Sequence, residues 1–503
     1  MSEAEVREVI STTEARFELL RRRAGLVLAP SAFAAVWFSS LDVTPEAHRL
    51  AAVLAAVGVL WITEAIPMGM TAFLGVAATV VLRVAPAAEA FAPFADPLIF
   101  LFIGTFMLAR AIFFHGLDRR FAFAILGLRG VGQHPGRVLV AYAFVACTIS
   151  MWISNTATTA MMFPIGISVL GVLESRGQVS PAYGTVLLLS TAFAASIGGL
   201  ATPVGTPPNL IGIGFIRRAT GVEVPFFTWM ALGLPVTALM FAWAMFNLWR
   251  GGVPRRAAMG GVRELIAVER AALGPWTRGE VNTLVAFLCT VTLWVLPGVI
   301  ALVGGVEHAW YRWLNGALPE GVVALLGAGL LFVLPTNLAR HEFTLEWREA
   351  VQIEWWIVFL YGGGLALGTL AFKTGLAEAM GQSLTAWLGV RSGFALLALS
   401  VVMATLLSET TSNTASANMV VPVVIAFARS AGLDPVVPAI GATMAASLGF
   451  ILPVSTPTNA IVYGSGRIPL TAMMRHGVLL DIGGMIAVIL VVGLLGPWML
   501  GRN

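Results

Sequence analysis

Two short polar runs stand out in this chain for the chemistry their residue types permit. They are Ser150-x-x-x-Ser154-Asn155-Thr156 and Ser408-x-x-x-Ser412-Asn413-Thr414, and each interrupts a long apolar segment. Hydroxyls and carboxamides carry donors and acceptors together. Their oxygens suit a small hard cation such as Na⁺. Their O–H and N–H groups, with backbone N–H groups at helix N-termini, suit a carboxylate or another oxyanion. One such run is ordinarily glue between membrane helices; two in equivalent positions point to a ligand site. A second pair, Thr206-Pro207-Pro208 and Thr456-Pro457, also lies inside long apolar stretches. Proline breaks a membrane helix, and Gly198, Gly199 and Gly205 loosen the first stretch further. Both read as discontinuous helices whose freed backbone groups face a ligand. No Lys or Arg falls within these clusters, so dipoles and co-bound cations must hold any anion there.

The elements that must position these residues follow from composition. Of 503 residues, 58% are apolar and only 11% are charged, against roughly 25% charged in an average globular protein. That excludes a soluble enzyme, a disordered chain and a nucleic-acid binder. It leaves an all-α polytopic membrane protein. Candidate spans of about 20 apolar residues fall near 25–41, 50–66, 69–85, 98–114, 184–215, 225–249, 280–302, 319–337, 355–372, 435–465 and 478–500. These are about eleven helices, of which 184–215 and 435–465 carry the Thr-Pro breaks. Segments 138–172 and 392–430 are too long for one crossing and hold the Ser-Asn-Thr runs mid-way. They read as re-entrant hairpins, tolerated at membrane depth only where protein or a watery cavity surrounds them. Residues 1–24 read as a cytoplasmic amphipathic segment, not a cleavable signal, stopped by Arg21-Arg22-Arg23. The polar stretch 251–278 reads as a surface linker between halves 25–250 and 279–503. Cys147 and Cys289 both read as small core residues.

The two halves repeat one another. Ala65-Ile66-Pro67-Met68-Gly69 matches Ala317-Leu318-Pro319-Glu320-Gly321. Phe100-Leu101-Phe102-Ile103-Gly104 matches Phe359-Leu360-Tyr361-Gly362-Gly363. The two Ser-Asn-Thr runs match, and Pro203-Val204-Gly205-Thr206-Pro207-Pro208-Asn209 matches Pro453-Val454-Ser455-Thr456-Pro457-Thr458-Asn459. The pairs recur in the same order, each separated by about half the chain. Each half has five crossings plus a hairpin, and an odd number turns the second half upside down, the inverted-repeat design of secondary transporters. Arginines cluster at 119–137, 250–278 and 340–348. By the positive-inside rule these loops and the N-terminus lie in the cytoplasm and the C-terminus outside, with Arg83, Arg217 and Arg218 as exceptions.

With Thr63-Glu64-Ala65-Ile66-Pro67 and Gly362-Gly363-Gly364, these motifs resemble the divalent anion/sodium symporter (DASS) family, which includes bacterial dicarboxylate transporters and animal sodium–citrate cotransporters. The resemblance covers nearly the whole chain from about residue 50. It implies one sodium site at Ser150, Ser154, Asn155 and the Gly205 carbonyl, and another at Ser408, Thr411, Ser412, Asn413 and the Ser455 carbonyl. It places the substrate between the tips, at Ser154, Asn155, Thr156, Ser412, Asn413 and Thr414, near Thr206, Thr456 and Pro457. It implies a homodimer in a bacterial inner membrane, with a fixed scaffold and an elevator-like moving domain. The expected partners are lipid, Na⁺ as the coupling ion, and a small dianion such as succinate, malate, fumarate or citrate. Sodium-independent exchange on the same fold and sulfate transport are the alternatives. No cofactor is expected.

An enzyme would need other residues. The chain has no Walker motif, no His-Glu-x-x-His, no Gly-x-Ser-x-Gly and no histidines at metal-ligand spacing. Glu64 and Glu409 are the intramembrane carboxylates beside the motifs, functional suspects by position. Arg110 and Lys373, the only lysine, sit at matching helix ends and read as snorkelling or orienting charges.

Overall fold

A computed structural model describes residues 12–254 and 261–500. The described chain is nearly all helix. The first part comprises α1 (Thr12–Trp37), α2 (Pro45–Thr63), α3 (Met68–Val81), the short α4 (Ala87–Phe91), α5 (Pro97–Phe114) and α6 (Leu117–Leu126). Then come α7 (Pro135–Ser150), α8 (Asn155–Ser175), α9 (Pro181–Gly198), α10 (Pro207–Thr220), α11 (Phe226–Gly252) and α12 (Val262–Ala272). The second part comprises α13 (Arg278–Gly304), α14 (Ala309–Ala317), α15 (Glu320–Val333), the one-turn α16 (Trp347–Ala350), α17 (Trp355–Lys373) and α18 (Leu376–Leu388). It ends with α19 (Gly393–Thr410), α20 (Asn413–Ser430), α21 (Val436–Ala445), α22 (Pro457–Tyr463) and α23 (Leu470–Leu500). A small ribbon, β1 (Pro335–Asn337) with β2 (Glu342–Phe343), follows α15.

Helix starts are written locally. Proline opens α2, α5, α7, α9, α10 and α22 at the position where its missing N–H costs nothing. Thr44, Asp96, Ser154, Ser180, Ser392 and Ser412 each accept a backbone N–H of the first turn they precede. Among the described residues nine helices are long and apolar enough to cross a membrane, or ten if the bent pair α14–α15 counts as one span. The elements at 69–85 and 319–337 are shorter than a full crossing: α3 and α15 have 14 residues each.

Packing is arranged in matched pairs. α3 lies against α17 as α5 lies against α15; α7 against α9 as α19 against α21; α10 against α20 as α22 against α8; and α11 meets α23. Each pairing has its counterpart under the correspondence that the repeated motifs define. The long segments are interrupted where the polar runs fall. Met151–Ser154 separates α7 from α8, and Thr411–Ser412 separates α19 from α20; residues 199–206 separate α9 from α10, and 446–456 separate α21 from α22.

Several readings change. Residues 12–24 do not form a separate segment, because α1 runs unbroken from Thr12 through the apolar stretch to Trp37; residues 1–11 lie outside the described ones. Gly25 lets α1 close on the end of α2, for a Cβ there would fall 2.0 Å from Thr63 Oγ1. The stretch 251–278 holds a helix, α12, whose Val262 and Ile266 are buried; residues 255–260 lie outside the described ones. Cys289 is exposed on α13, although Cys147 is buried. Arg110 pairs with Glu349 at 2.8 Å and Lys373 with Glu89 at 2.6 Å. Arg217 and Arg218 have a local reason to sit where they do: buried Asp96 receives Arg217 Nη2 at 2.6 Å and Arg218 Nη2 at 3.4 Å, and Tyr361 donates to it at 3.2 Å.

Candidate functional site

Each Ser-Asn-Thr run forms a hairpin tip with the same internal bonding. Ser150 Oγ donates to Asn155 Oδ1 at 2.7 Å, and Ser408 Oγ to Asn413 Oδ1 at 2.8 Å. Ser154 caps α8 through Ala157 N at 3.3 Å, and Ser412 caps α20 through Ala415 N at 3.2 Å. Both anchoring serines are fully buried.

Each tip docks on the facing break. Asn155 lies against Gly199, where an added Cβ would sit 2.5 Å from its Oδ1. Asn413 lies beside Gly449, where the same distance is 3.3 Å. The breaks are braced alike. Asn209 Nδ2 donates to the Gly199 and Thr202 carbonyls, both at 2.8 Å. Asn459 Nδ2 donates to the Gly449 and Leu452 carbonyls, both at 3.0 Å. These amides reclaim carbonyls that a broken helix leaves without an N–H partner. Clasps link tip to break: Thr202 Oγ1 donates to the Met151 carbonyl at 2.5 Å, and Ser455 Oγ to the Glu409 carbonyl at 3.0 Å.

Between the tips lies a cavity of about 520 Å³. All nine residues expected around the substrate line it: Ser154, Asn155 and Thr156; Ser412, Asn413 and Thr414; and Thr206, Thr456 and Pro457. Of the other residues expected to hold sodium, Ser455 also reaches its wall. Ser150, Gly205, Ser408 and Thr411 lie behind the tips, not on the wall. Helices α8, α10, α20 and α22 all begin at this wall, so four N-terminal ends converge on one volume, although α10 opens on Pro207-Pro208 and its Asn209 N–H is taken by the Thr206 carbonyl. The positive end of the helix dipole lies there. Thr456 caps Asn459 N at 3.2 Å, whereas Thr206 makes no cap bond.

Sequence reasoning missed several wall residues. Ser196 and Thr458 both line the cavity, joined Oγ to Oγ1 at 3.1 Å. Glu18 and Arg22 line it too, beside Glu64, which the sequence marks as a functional suspect. Glu64 Oε2 accepts from Arg21 at 3.2 Å and Arg22 pairs with Glu18 at 3.4 Å. The arginine run that reads as a membrane-face stop therefore also supplies a half-exposed cation, Arg22, to the cavity's edge. Glu64 ends α2 in the left-handed region, φ 47°.

The sequence model of the sodium:sulfate symporter transmembrane region matches residues 22–501. The chain belongs to this symporter family. Relatives at this distance are consistent with it. The chain is 30% identical over 489 residues to a sodium-dependent dicarboxylate transporter of Staphylococcus saprophyticus, covering 95% of this chain and 92% of that one. It is 29% identical, with the same coverage, to the transporter of that name in Staphylococcus aureus strain USA300. Among solved structures, the YdaH transporter of Alcanivorax borkumensis superposes with a TM-score of 0.55 over 83% of this chain and 89% of the other. Its identity is 14%, so this likeness concerns the fold. The chain is an integral membrane protein of symporter-family architecture.

Proposed function

We propose that this protein couples Na⁺ entry to uptake of small dianions, C4-dicarboxylates such as succinate, malate and fumarate foremost, with citrate of the same class. The observation that carries this reading is the convergence of four helix N-termini and eleven Ser, Thr and Asn side chains on one cavity whose tips carry no Lys or Arg. N–H dipoles suit carboxylates, but dipoles alone do not balance two full charges in a low-dielectric site. Co-bound cations must supply the rest, and the oxygen-rich clusters behind the tips, Ser150, Ser154, Asn155 and Gly205 on one side and Ser408, Thr411, Ser412, Asn413 and Ser455 on the other, are the places for them. The names of the relatives support dicarboxylate as the substrate; the family's description keeps sulfate as the second reading.

The matched packing pairs support an inverted repeat, with Ser154 reached from the cytoplasm and Ser412 from outside, in a bacterial plasma membrane. Alternating access then moves the hairpin-bearing body against α1–α5, α13–α15 and α17, elevator-fashion. The long α13, only 17% of whose apolar window is buried, offers its flank to lipid and to a second copy in a homodimer. The substrate is carried chemically unchanged. The deciding experiment is uptake of radiolabelled succinate into proteoliposomes with and without an inward Na⁺ gradient, with malate, fumarate, citrate and sulfate as competitors. Uptake that needs Na⁺ and yields to dicarboxylates is expected. Competition by sulfate alone moves the reading to sulfate, and uptake indifferent to Na⁺ but driven by internal dicarboxylate moves it to exchange.

A further inference from the structure

Glu409 and Asp481 form an acidic pair that neither the cavity nor the two sodium positions use. Glu409, near the end of α19, is buried. Its Oε1 accepts from Ile451 N at 3.0 Å and its Oε2 from Ser455 Oγ at 2.8 Å. Asp481 lies in α23 with 3% exposure, and neither of its carboxylate oxygens has a hydrogen-bond partner. Gly477, one turn earlier on the same helix face, presses on the break between α21 and α22: a Cβ there would sit 2.2 Å from the Phe450 carbonyl oxygen. Gly484, on the following turn, meets Leu448. Glycines at i−4 and i+3 thus bring α23 close enough to set Asp481 against the backbone segment whose Ile451 N–H holds Glu409.

Two adjacent buried carboxylates repel unless a cation compensates them or a proton neutralises one. Among the described residues no protein cation does so. Of the helices packed on α23, α19 and α21 contain no Lys or Arg, and Arg250 of α11 is exposed over Phe246. On α23 itself Arg475 is exposed and His476 is bonded to Asn247. Nor does the fold require the acid. In the first half Met151 follows the anchoring serine where Glu409 follows it in the second, and the clasp from break to tip carbonyl forms there without a carboxylate. The acid pair is an addition to one half only. An anionic cage of hard oxygens beside a hydroxyl suits a hard cation better than a soft metal, and Na⁺ is the hard cation that the proposed coupling supplies.

We propose that Glu409 and Asp481 hold a third Na⁺ between their carboxylates, beside the second hairpin. The role of that ion in transport rests on the sodium-coupled reading above; its binding does not. The test is equilibrium ²²Na⁺ binding and tryptophan-monitored thermal unfolding of the purified protein, without substrate, titrating NaCl against choline chloride at fixed ionic strength and pH. About three Na⁺ per protomer are expected, with the midpoint rising by about 2 °C or more as they fill. Asp481→Asn should bind one ion fewer, with a shallower titration, and Asn155→Ala/Asn413→Ala should keep a residual Na⁺ response that adding Asp481→Asn removes. Two or fewer ions in the wild type overturn the proposal even if Asp481→Asn fails to fold. So does an Asp481→Asn protein with the wild-type titration, or a wild-type shift reproduced by acidifying in choline, which would mean a proton alone. Three bound ions with no dicarboxylate uptake would leave this site standing and refute the transport reading.

Discussion

Asn155 and Asn413 each connect three things: a hairpin serine, a helix start and the glycine of the facing break. Replacing either by Ala removes an oxygen from the expected cation cluster; Ser150 loses its acceptor, while Ser408 loses one of two and keeps the Ala446 carbonyl. Such a loss costs roughly 1–3 kcal/mol, about a tenfold effect for each 1.4 kcal/mol. Each variant should therefore raise the Na⁺ concentration for half-maximal uptake about tenfold or more, with normal yield and elution as a folded protein. Wild-type Na⁺ dependence in both variants would move the sodium sites elsewhere. Much at this scale was legible, because Ser, Asn and Thr mid-way through apolar stretches are costly unless used. What was not legible depends on distance in the chain. Arg22 and Glu64 share a wall although 42 residues separate them in sequence. Asp481 sits in no motif, and its partner Glu409 is 72 residues away. The rule that flags an intramembrane carboxylate applied to Asp481 as well as to Glu64 and Glu409, but only the packing of Gly477 on Phe450 shows why it matters.

The hairpins and breaks are the elements whose fit can be graded. At Gly199 an added Cβ would lie 2.5 Å from Asn155 Oδ1, a contact that something must yield to; at Gly449 the corresponding distance from Asn413 Oδ1 is 3.3 Å. Neither glycine has positive φ, so Ala strains only the contact. Gly199→Ala should push the first tip off its break and abolish Na⁺-stimulated uptake. Gly449→Ala should weaken it only a few-fold, and equal effects would show that tip-to-break docking does not set the Na⁺ response. Orientation belongs to this scale too. Arg137 and Arg391 are exposed near the bases of the two hairpins. Single cysteines there, in a Cys289→Ser background that removes the exposed thiol, should react with a membrane-impermeant maleimide from opposite faces of the membrane. Labelling from the same face would refute the inverted repeat. The sequence showed both hairpins and both broken helices because polar clusters and prolines punctuate them. It did not show that α1 is continuous, since three arginines look like the end of an element when they lie inside one helix, Arg21 bonded to Glu18 and Glu64 and Arg22 to Glu18. Nor did it show α12, whose short apolar stripe is buried only by tertiary packing.

At the scale of the whole molecule the question is how much charge each cycle moves. The cavity tips supply dipoles and no fixed cation, with Arg22 half-exposed at the edge and already paired with Glu18. A dianion entering against an inside-negative potential works against roughly 2.3 kcal/mol per charge per 100 mV. Two Na⁺, one behind each tip, only cancel its charge. Cavity and ions together then cross as a neutral load, and voltage does not help. A third cation at Glu409 and Asp481, carried in the same body as the second hairpin, makes the load positive by one. Uptake should then be electrogenic, with more than two Na⁺ per dicarboxylate. The steady-state accumulation ratio should rise roughly tenfold for each additional ~60 mV of inside-negative potential. Proteoliposomes clamped with valinomycin and potassium gradients measure this directly, with radiolabelled succinate and a fixed Na⁺ gradient. Accumulation that ignores voltage would mean a neutral two-ion cycle in which any ion at the acid pair stays resident. Accumulation that ignores Na⁺ while responding to internal dicarboxylate would mean that the same architecture runs as an exchanger, its helix dipoles holding the anion on both legs of the cycle.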